Sequence, residues 1–203
     1  MMTEPTDQPS DAGGAPPQAP PPAAIGAVPA PAETGAVPAP TLSLELFPPR
    51  PGRHVTQTWG ALDRLLATGP DFVSVTYRPS FVIGGTGSGA AGTAPPVRVR
   101  REHNPAEDVV AHVLSRSDVP LMAHLTCIGY RRDSVVEVVR RFLDLGVRRF
   151  LALRGDPPRG YAAEDVAGEL PHADDLVRVI REVESDYFDD GARHIQIAVA
   201  AYP

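Results

Sequence analysis

The stretch FLALRGDPPRG, Phe150 to Gly160, begins as a buried strand and ends in charge and proline. Phe150 to Leu153 is a short apolar run of the kind that fills the middle of a parallel sheet, where both faces are covered. Arg154, Gly155 and Asp156 follow at once, and Pro157 and Pro158 prevent the strand from continuing. Glycine at 155 lets the backbone turn, or lets a ligand approach it closely. The run therefore delivers polar chemistry to the C-terminal edge of a sheet.

Working outward, the same texture recurs. Leu42 to Phe47 is an apolar run closed by Pro48 and Pro49, and FVSVTY, Phe72 to Tyr77, is another. Between them a helix has Val55, Trp59, Leu62, Leu65 and Leu66 on one face and is stopped by Gly69 and Pro70. Asn104 is placed to cap a helix, with Pro105 at its first position, Glu107 where a capping box needs it, and Val109, Val110, Val113 and Leu114 as its apolar face. LMAHLTC, Leu121 to Cys127, is a third strand. Asp133 or Ser134 opens a helix through Val136, Val139 and Leu143 that ends at Gly146, ahead of the strand at Phe150. A last helix spans about 173 to 183, and IQIAVAAYP, Ile195 to Pro203, is the fifth strand.

Strand and helix alternating in this way predict right-handed βαβ units and a parallel sheet. Each strand carries its reactive residues near its C-terminal end: Glu45, then Thr76 and Tyr77, then His124 and Thr126, then Arg154 and Asp156, then Tyr202. In a parallel sheet those ends share one edge. Contributions from every strand, rather than from one switch point, favour a TIM barrel over a doubly wound sheet. Glu45 stands out, because it lies in an otherwise apolar run where burial would favour its neutral, proton-carrying form. The expectation is a general acid; the structural alternative is a pair with an arginine such as Arg154.

Composition narrows the class. The 203 residues include 24 prolines, crowded into residues 1–40, where GAVPAP occurs at Gly26–Pro31 and again at Gly35–Pro40. Such a tract has too little apolar bulk to repay its ordering entropy and is expected to be a disordered Pro/Ala/Gly-rich tail. The domain division expected is thus 1–40 tail and 41–203 folded. All 19 basic residues are arginine, scattered among 25 acidic ones, so no basic stripe for nucleic acid is expected. One cysteine, Cys127, excludes an internal disulfide and fits a reducing cytoplasm. No apolar run has the length of a membrane span and no secretory signal is evident, so a soluble cytoplasmic protein is expected. His124 and Cys127, three apart on a strand, point to opposite faces and do not form a metal pair; no metal site is expected.

Taken together, SLELFPPR (43–50), DFVSVTYR (71–78), PLMAHLTCIGY (120–130), FLALRGDPPRG (150–160) and IAVAAYP (197–203) resemble, in order and spacing, the blocks of the methylenetetrahydrofolate reductase family. The resemblance implies a flavin-dependent TIM barrel in which NADH or NADPH reduces FAD and a hydride passes to 5,10-methylenetetrahydrofolate, giving 5-methyltetrahydrofolate. By motif it implies that Glu45 is the general acid and that Asp156 stabilises the cationic substrate. Thr76, His124, Leu153, Arg154, Gly155, Asp156, Ala200 and Tyr202 match positions that hold FAD.

Two departures from the family pattern carry expectations of their own. The segment RPSFVIGGTGSGAAGTAPPVRVRREHNP after Tyr77 is a long insertion beside the flavin site. Its GGTGSG is followed by Ala94, Pro95 and Pro96 rather than a helix, so a flexible or lid-like loop is expected there instead of a dinucleotide fingerprint. The chain supplies about five of the eight βα units of a TIM barrel. The expected fold is therefore an incomplete α/β TIM (β/α)8 barrel, and the expected partners are the folate substrate with either a second copy or a complementing C-terminal half. The alternative function is an inactive truncated fragment, or one half of a split reductase. An adhesion role for Arg154-Gly155-Asp156 is disfavoured by the apolar strand before it and the lack of a signal segment.

Overall fold

Proline and glycine set the first chain reversals. Helix α1 (Val55–Leu66) ends where the Thr68 and Gly69 amides donate to the Leu65 and Leu66 carbonyls at 3.1 Å, with Gly69 in the left-handed region (φ 68°). Pro70 follows, and β2 (Phe72–Tyr77) begins two residues on. In this computed structural model residues 41–48, 55–78, 81–83, 97–99, 103–166 and 168–201 are described. The expected tail, Tyr202 and most of the insertion lie outside them.

The remaining elements are β1 (Ser43–Leu46), a short hairpin of β3 (Phe81–Ile83) and β4 (Val97–Val99), α2 (Pro105–Arg116), β5 (Leu121–Thr126), α3 (Arg132–Asp144), β6 (Arg149–Leu153), a 3-10 turn (Ala163–Asp165), α4 (Ala173–Phe188) and β7 (Gln196–Val199). Five strands form one parallel sheet in the order β1-β2-β5-β6-β7. Leaving aside the hairpin, that is sequence order. A doubly wound sheet reverses direction at a switch point; this one does not.

Strand alternation assigns the two faces. Val73, Val75, Tyr77, Leu121, Ala123, Leu125, Phe150 and Ala152 point to one side, where they form a single buried cluster with Leu62 and Leu66 of α1, Val109 and Val113 of α2, Val139 and Phe142 of α3, and Leu176 and Ile180 of α4. All four helices thus cover the same face, as right-handed crossovers between consecutive neighbours require. Ser74, Thr76, Met122, His124, Leu151, Leu153 and Ala198 point to the other face, which no helix covers among the described residues. This layering is consistent with part of a barrel wall; among the described residues the sheet has five strands, with β1 and β7 paired on one side only.

Local signals mostly act as expected. Asn104 caps α2 by accepting from the Ala106 amide at 3.0 Å, and its Nδ2 donates to the Arg78 carbonyl at 2.7 Å. Glu107 does not serve the expected capping box. Its buried carboxylate instead receives Arg141 of α3 at 2.8 Å and the Tyr77 hydroxyl at 3.4 Å, bolting α2 to α3 and to the sheet. The insertion, where a flexible or lid-like loop was expected, holds the β3–β4 hairpin, with Phe81 opposite Val99.

The link from α4 to β7 is organised by Glu184, whose side chain is fully buried. Its Oε1 accepts the amides of His194 (2.7 Å) and Ile195 (2.6 Å); its Oε2 accepts Arg181 (2.7 Å) and Arg193 (3.0 Å). Burial acts to raise the pKa of this carboxyl, but the bonds from Arg181, Ile195, Arg193 and His194 outweigh it and hold it below the ordinary value near 4.5. Removing the carboxylate strands two backbone amides and two guanidinium contacts. Glu184→Ala is therefore expected to cost about 3 kcal/mol or more, read as a lower urea midpoint. Because the folded value is depressed, this contribution is present above the unfolded value and declines as pH falls through the folded one. The gap between the parent chain and Glu184→Ala should accordingly narrow in acid below the ordinary glutamate range.

Candidate functional site

The open face is laid out in rows fixed by register. Glu45, Ser74, Met122, Arg149 and Gln196 are successive neighbours across the five strands. One step nearer the C-terminal ends lie Thr76, His124, Leu151 and Ala198, and one step further Thr126 and Leu153. Sequence reasoning missed Arg149 and Gln196, which close the first row with a 2.9 Å bond from Arg149 Nε to Gln196 Oε1. The available signal was a charge alternating with the buried Phe150 within one strand.

Three predicted residues meet. The Thr76 hydroxyl donates to Glu45 Oε1 at 2.5 Å, His124 Nδ1 lies 3.5 Å from the same oxygen, and Thr76 Oγ1 and His124 Nδ1 are 3.4 Å apart. The strands β1, β2 and β5 are adjacent, so residues 31 and 48 positions apart in sequence converge on one carboxylate oxygen. Burial pushes the His124 imidazole below the ordinary histidine value, although Glu45 pulls the other way, a balance that favours the neutral ring. Glu45 itself corrects an expectation: its side chain is 45% exposed rather than buried. It sits on β1, which has one neighbouring strand among the described residues, and it points to the uncovered face while Leu46 points into the core. The arginine partner weighed for it is also not Arg154, whose Nε donates to the Gly155 carbonyl at 3.4 Å.

Tyr77 is a second correction. It points to the helix side, where it is buried edge-on to Phe142, and does not reach the open face. A two-residue polar ending on a strand always splits between faces, and Thr76 has the open one.

The turn after β6 answers why a core strand ends in charge. Backbone bonds carry the β5–β6 pairing past the strands: the Cys127 amide donates to Leu153 O at 3.2 Å and the Ile128 amide to Arg154 O at 2.9 Å. Gly155 then turns with φ 85°, lying so close to β5 that a Cβ would be 2.8 Å from Thr126 Cβ and 3.0 Å from Ile128 Cγ2. The Arg154 and Asp156 side chains are thereby turned out and exposed; they do not pair with each other, and Asp156 makes no hydrogen bond or ion pair among the described residues. Leu153 is half-buried on the open face, Ala200 is exposed just past β7, and Tyr202 is outside the described residues. Thr126, beneath Gly155, has a buried hydroxyl with no partner among the described residues. Cys127 lies on the helix side in the core, its thiol pushed up to about 11 mainly by burial. Among the described residues no three His, Cys, Asp or Glu side chains group as metal ligands.

Comparison with known proteins identifies the family. The family model for methylenetetrahydrofolate reductase matches residues 35–203. The chain belongs to the methylenetetrahydrofolate reductase family. It is 33% identical to 5,10-methylenetetrahydrofolate reductase of Salmonella typhimurium over 162 residues, covering 80% of this chain and 44% of that protein. The Escherichia coli enzyme of the same name is 32% identical over 162 residues, with the same coverage. Methylenetetrahydrofolate reductase (NADH) 1 of Arabidopsis thaliana is 31% identical over 166 residues, covering 79% of this chain and 23% of that protein. The chain thus spans less than half the length of the curated relatives it matches. Among the described residues no helix is long and apolar enough to cross a membrane.

The Gly155 turn gives a direct test of the site's framework. Gly155→Ala forces a side chain into a left-handed residue and against the Thr126 and Ile128 side chains, and should cost more than the roughly 1–2 kcal/mol of the left-handed conformation alone. The expected reading is a lowered urea midpoint, whereas Gly160→Ala, whose Cβ meets nothing within 4 Å, pays only the conformational part.

Proposed function

We propose that residues 41–203 form the N-terminal part of a TIM-barrel reductase that takes 5,10-methylenetetrahydrofolate to 5-methyltetrahydrofolate with FAD, using NADH or NADPH as electron donor. The observation that carries the reading is the convergence of Glu45, Thr76 and His124 on the open face of a family sheet. NADH appears in the name of the Arabidopsis relative, which supports it as one donor.

The residues present suit a flat redox cofactor. Leu151, Leu153 and Ala198 form a half-open apolar strip on the uncovered face, flanked by the polar Thr76 and His124. The unpartnered Thr126 hydroxyl lies at the same strand ends. Thr76, His124, Leu153, Arg154, Gly155, Asp156, Ala200 and Tyr202 are the residues that would hold FAD. When bound, FAD would supply the hydride chemistry, leaving orientation and charge to the protein. Glu45 is the proton donor that assists opening of the folate's five-membered ring, with Thr76 fixing its carboxylate. Asp156, outward-facing and unpaired among the described residues, is the anion beside the cationic form of the substrate.

A second reading has one observation in its favour. Among the described residues β1 and β7 each have a free edge and the sheet's second face is uncovered, and such edges are able to take up strands of a complementing half or a second copy. An inactive or partner-dependent half of a split reductase is that reading.

Titration of the purified chain with FAD, followed by flavin fluorescence and visible absorbance, separates the two. Saturable binding that Arg154→Ala weakens supports the reductase; no binding by a folded chain favours the partner-dependent half. If FAD binds, Glu45→Gln should keep that binding and lose about 10²–10⁴-fold in folate reduction, the usual size of a general acid's contribution. Unchanged reduction would remove Glu45 from the acid role.

A further inference from the structure

We propose that His124, Thr76 and Glu45 form a proton relay in which the His124 ring rests as the Nδ1–H tautomer and His124 Nε2 is the entrance through which the Glu45 proton is replaced. The inference rests on the reading of Glu45 as the acid and extends it to how that acid is reloaded.

The tautomer follows from counting protons. In the state that awaits reloading, with Glu45 as the carboxylate, the one hydroxyl proton of Thr76 goes to Oε1 across the 2.5 Å contact, since a carboxylate only accepts. Nδ1 of His124 then faces two acceptors, Glu45 Oε1 at 3.5 Å and the Thr76 oxygen at 3.4 Å. A bare nitrogen there would meet lone pairs on both sides, so the neutral ring carries its proton on Nδ1. Nε2 is left as an acceptor, and it makes no hydrogen bond among the described residues.

Among the described residues Glu45 is the charge that acts on the ring. It faces the ring from β1; β2 offers Thr76 and Ser74, and β6 offers Leu151 opposite. Once Glu45 has given up its proton, one shift restores it. Nε2 takes a proton from water, Nδ1 passes its proton to the Thr76 oxygen, and Thr76 passes its own to Glu45 Oε1. One O–H bond breaks on the water, which leaves as hydroxide to solvent; one N–H bond forms and one breaks on the ring, one O–H forms and one breaks on Thr76, and one O–H forms on Glu45. The ring ends as the neutral Nε2–H tautomer, accepting from Thr76. Both contacts from the relay fall on Oε1, so Oε2, which bonds to nothing among the described residues, stays available to substrate during reloading.

The test is a long-range 1H–15N spectrum of the 15N-labelled full chain in mildly alkaline solution, with the His124 signals assigned by their absence in His124→Gln. The expected pattern is Nδ1–H in the parent chain, and Nδ1–H in Thr76→Val, where Glu45 remains as acceptor. In Glu45→Ala the freed Thr76 proton turns to Nδ1, and the ring should switch to Nε2–H; Glu45→Leu serves if the alanine variant does not fold. An Nε2–H ring in the parent, or no switch in a folded Glu45 variant, overturns the proposal. These outcomes do not depend on flavin: failure of FAD to bind would count against the proposed function and leave the tautomer result standing.

Discussion

A parallel sheet built from neighbouring strands in sequence order can be covered on only one side by its crossovers, and everything distinctive about this protein follows from that constraint. The helices α1 to α4 take one face and close a continuous apolar core over it. The other face is left to the strands' alternate residues, so polar side chains stand on a rigid sheet without the cost of being packed among apolar helices. Glu45, Thr76 and His124 meet because β1, β2 and β5 are spaced by backbone hydrogen bonds and in a register that puts their side chains in reach of one another.

Much of this was legible in the residues. FVSVTY is β2 residue for residue, since Pro70 and Asp71 mark its start and the following loop its end. Asn104 and Pro105 mark the start of α2 as capping chemistry dictates. The residues missed or misjudged share a physical reason: a sequence states what alternates, but not which alternate faces the helices. Tyr77 was grouped with Thr76 because both end the same run, and one residue of offset sends it into the core. Glu45 was read as buried because its neighbours are apolar; its own face is open, and among the described residues β1 is bounded by a strand on one side only.

Other features depend on partners far apart in the chain, which periodicity does not reveal. Glu107 looked like half of a local capping box, yet its carboxylate is spent on Arg141 and Tyr77, 34 and 30 residues away. Glu184 lies on the core face of α4 beside Val183 and Ile180, and a glutamate at such a position was the hint that a buried acceptor was needed nearby. What it serves, the amides at the start of β7, emerges only when the chain has turned back.

Cys127 is the sole thiol in the sequence and sits in the core between sheet and helices, its proton held tightly by burial. Alkylating reagents attack the thiolate, so the folded chain offers them almost nothing. The residue is thereby a native reporter of opening: its labelling rate measures how often the sheet and its helices part, without an introduced probe and without disturbing the open face.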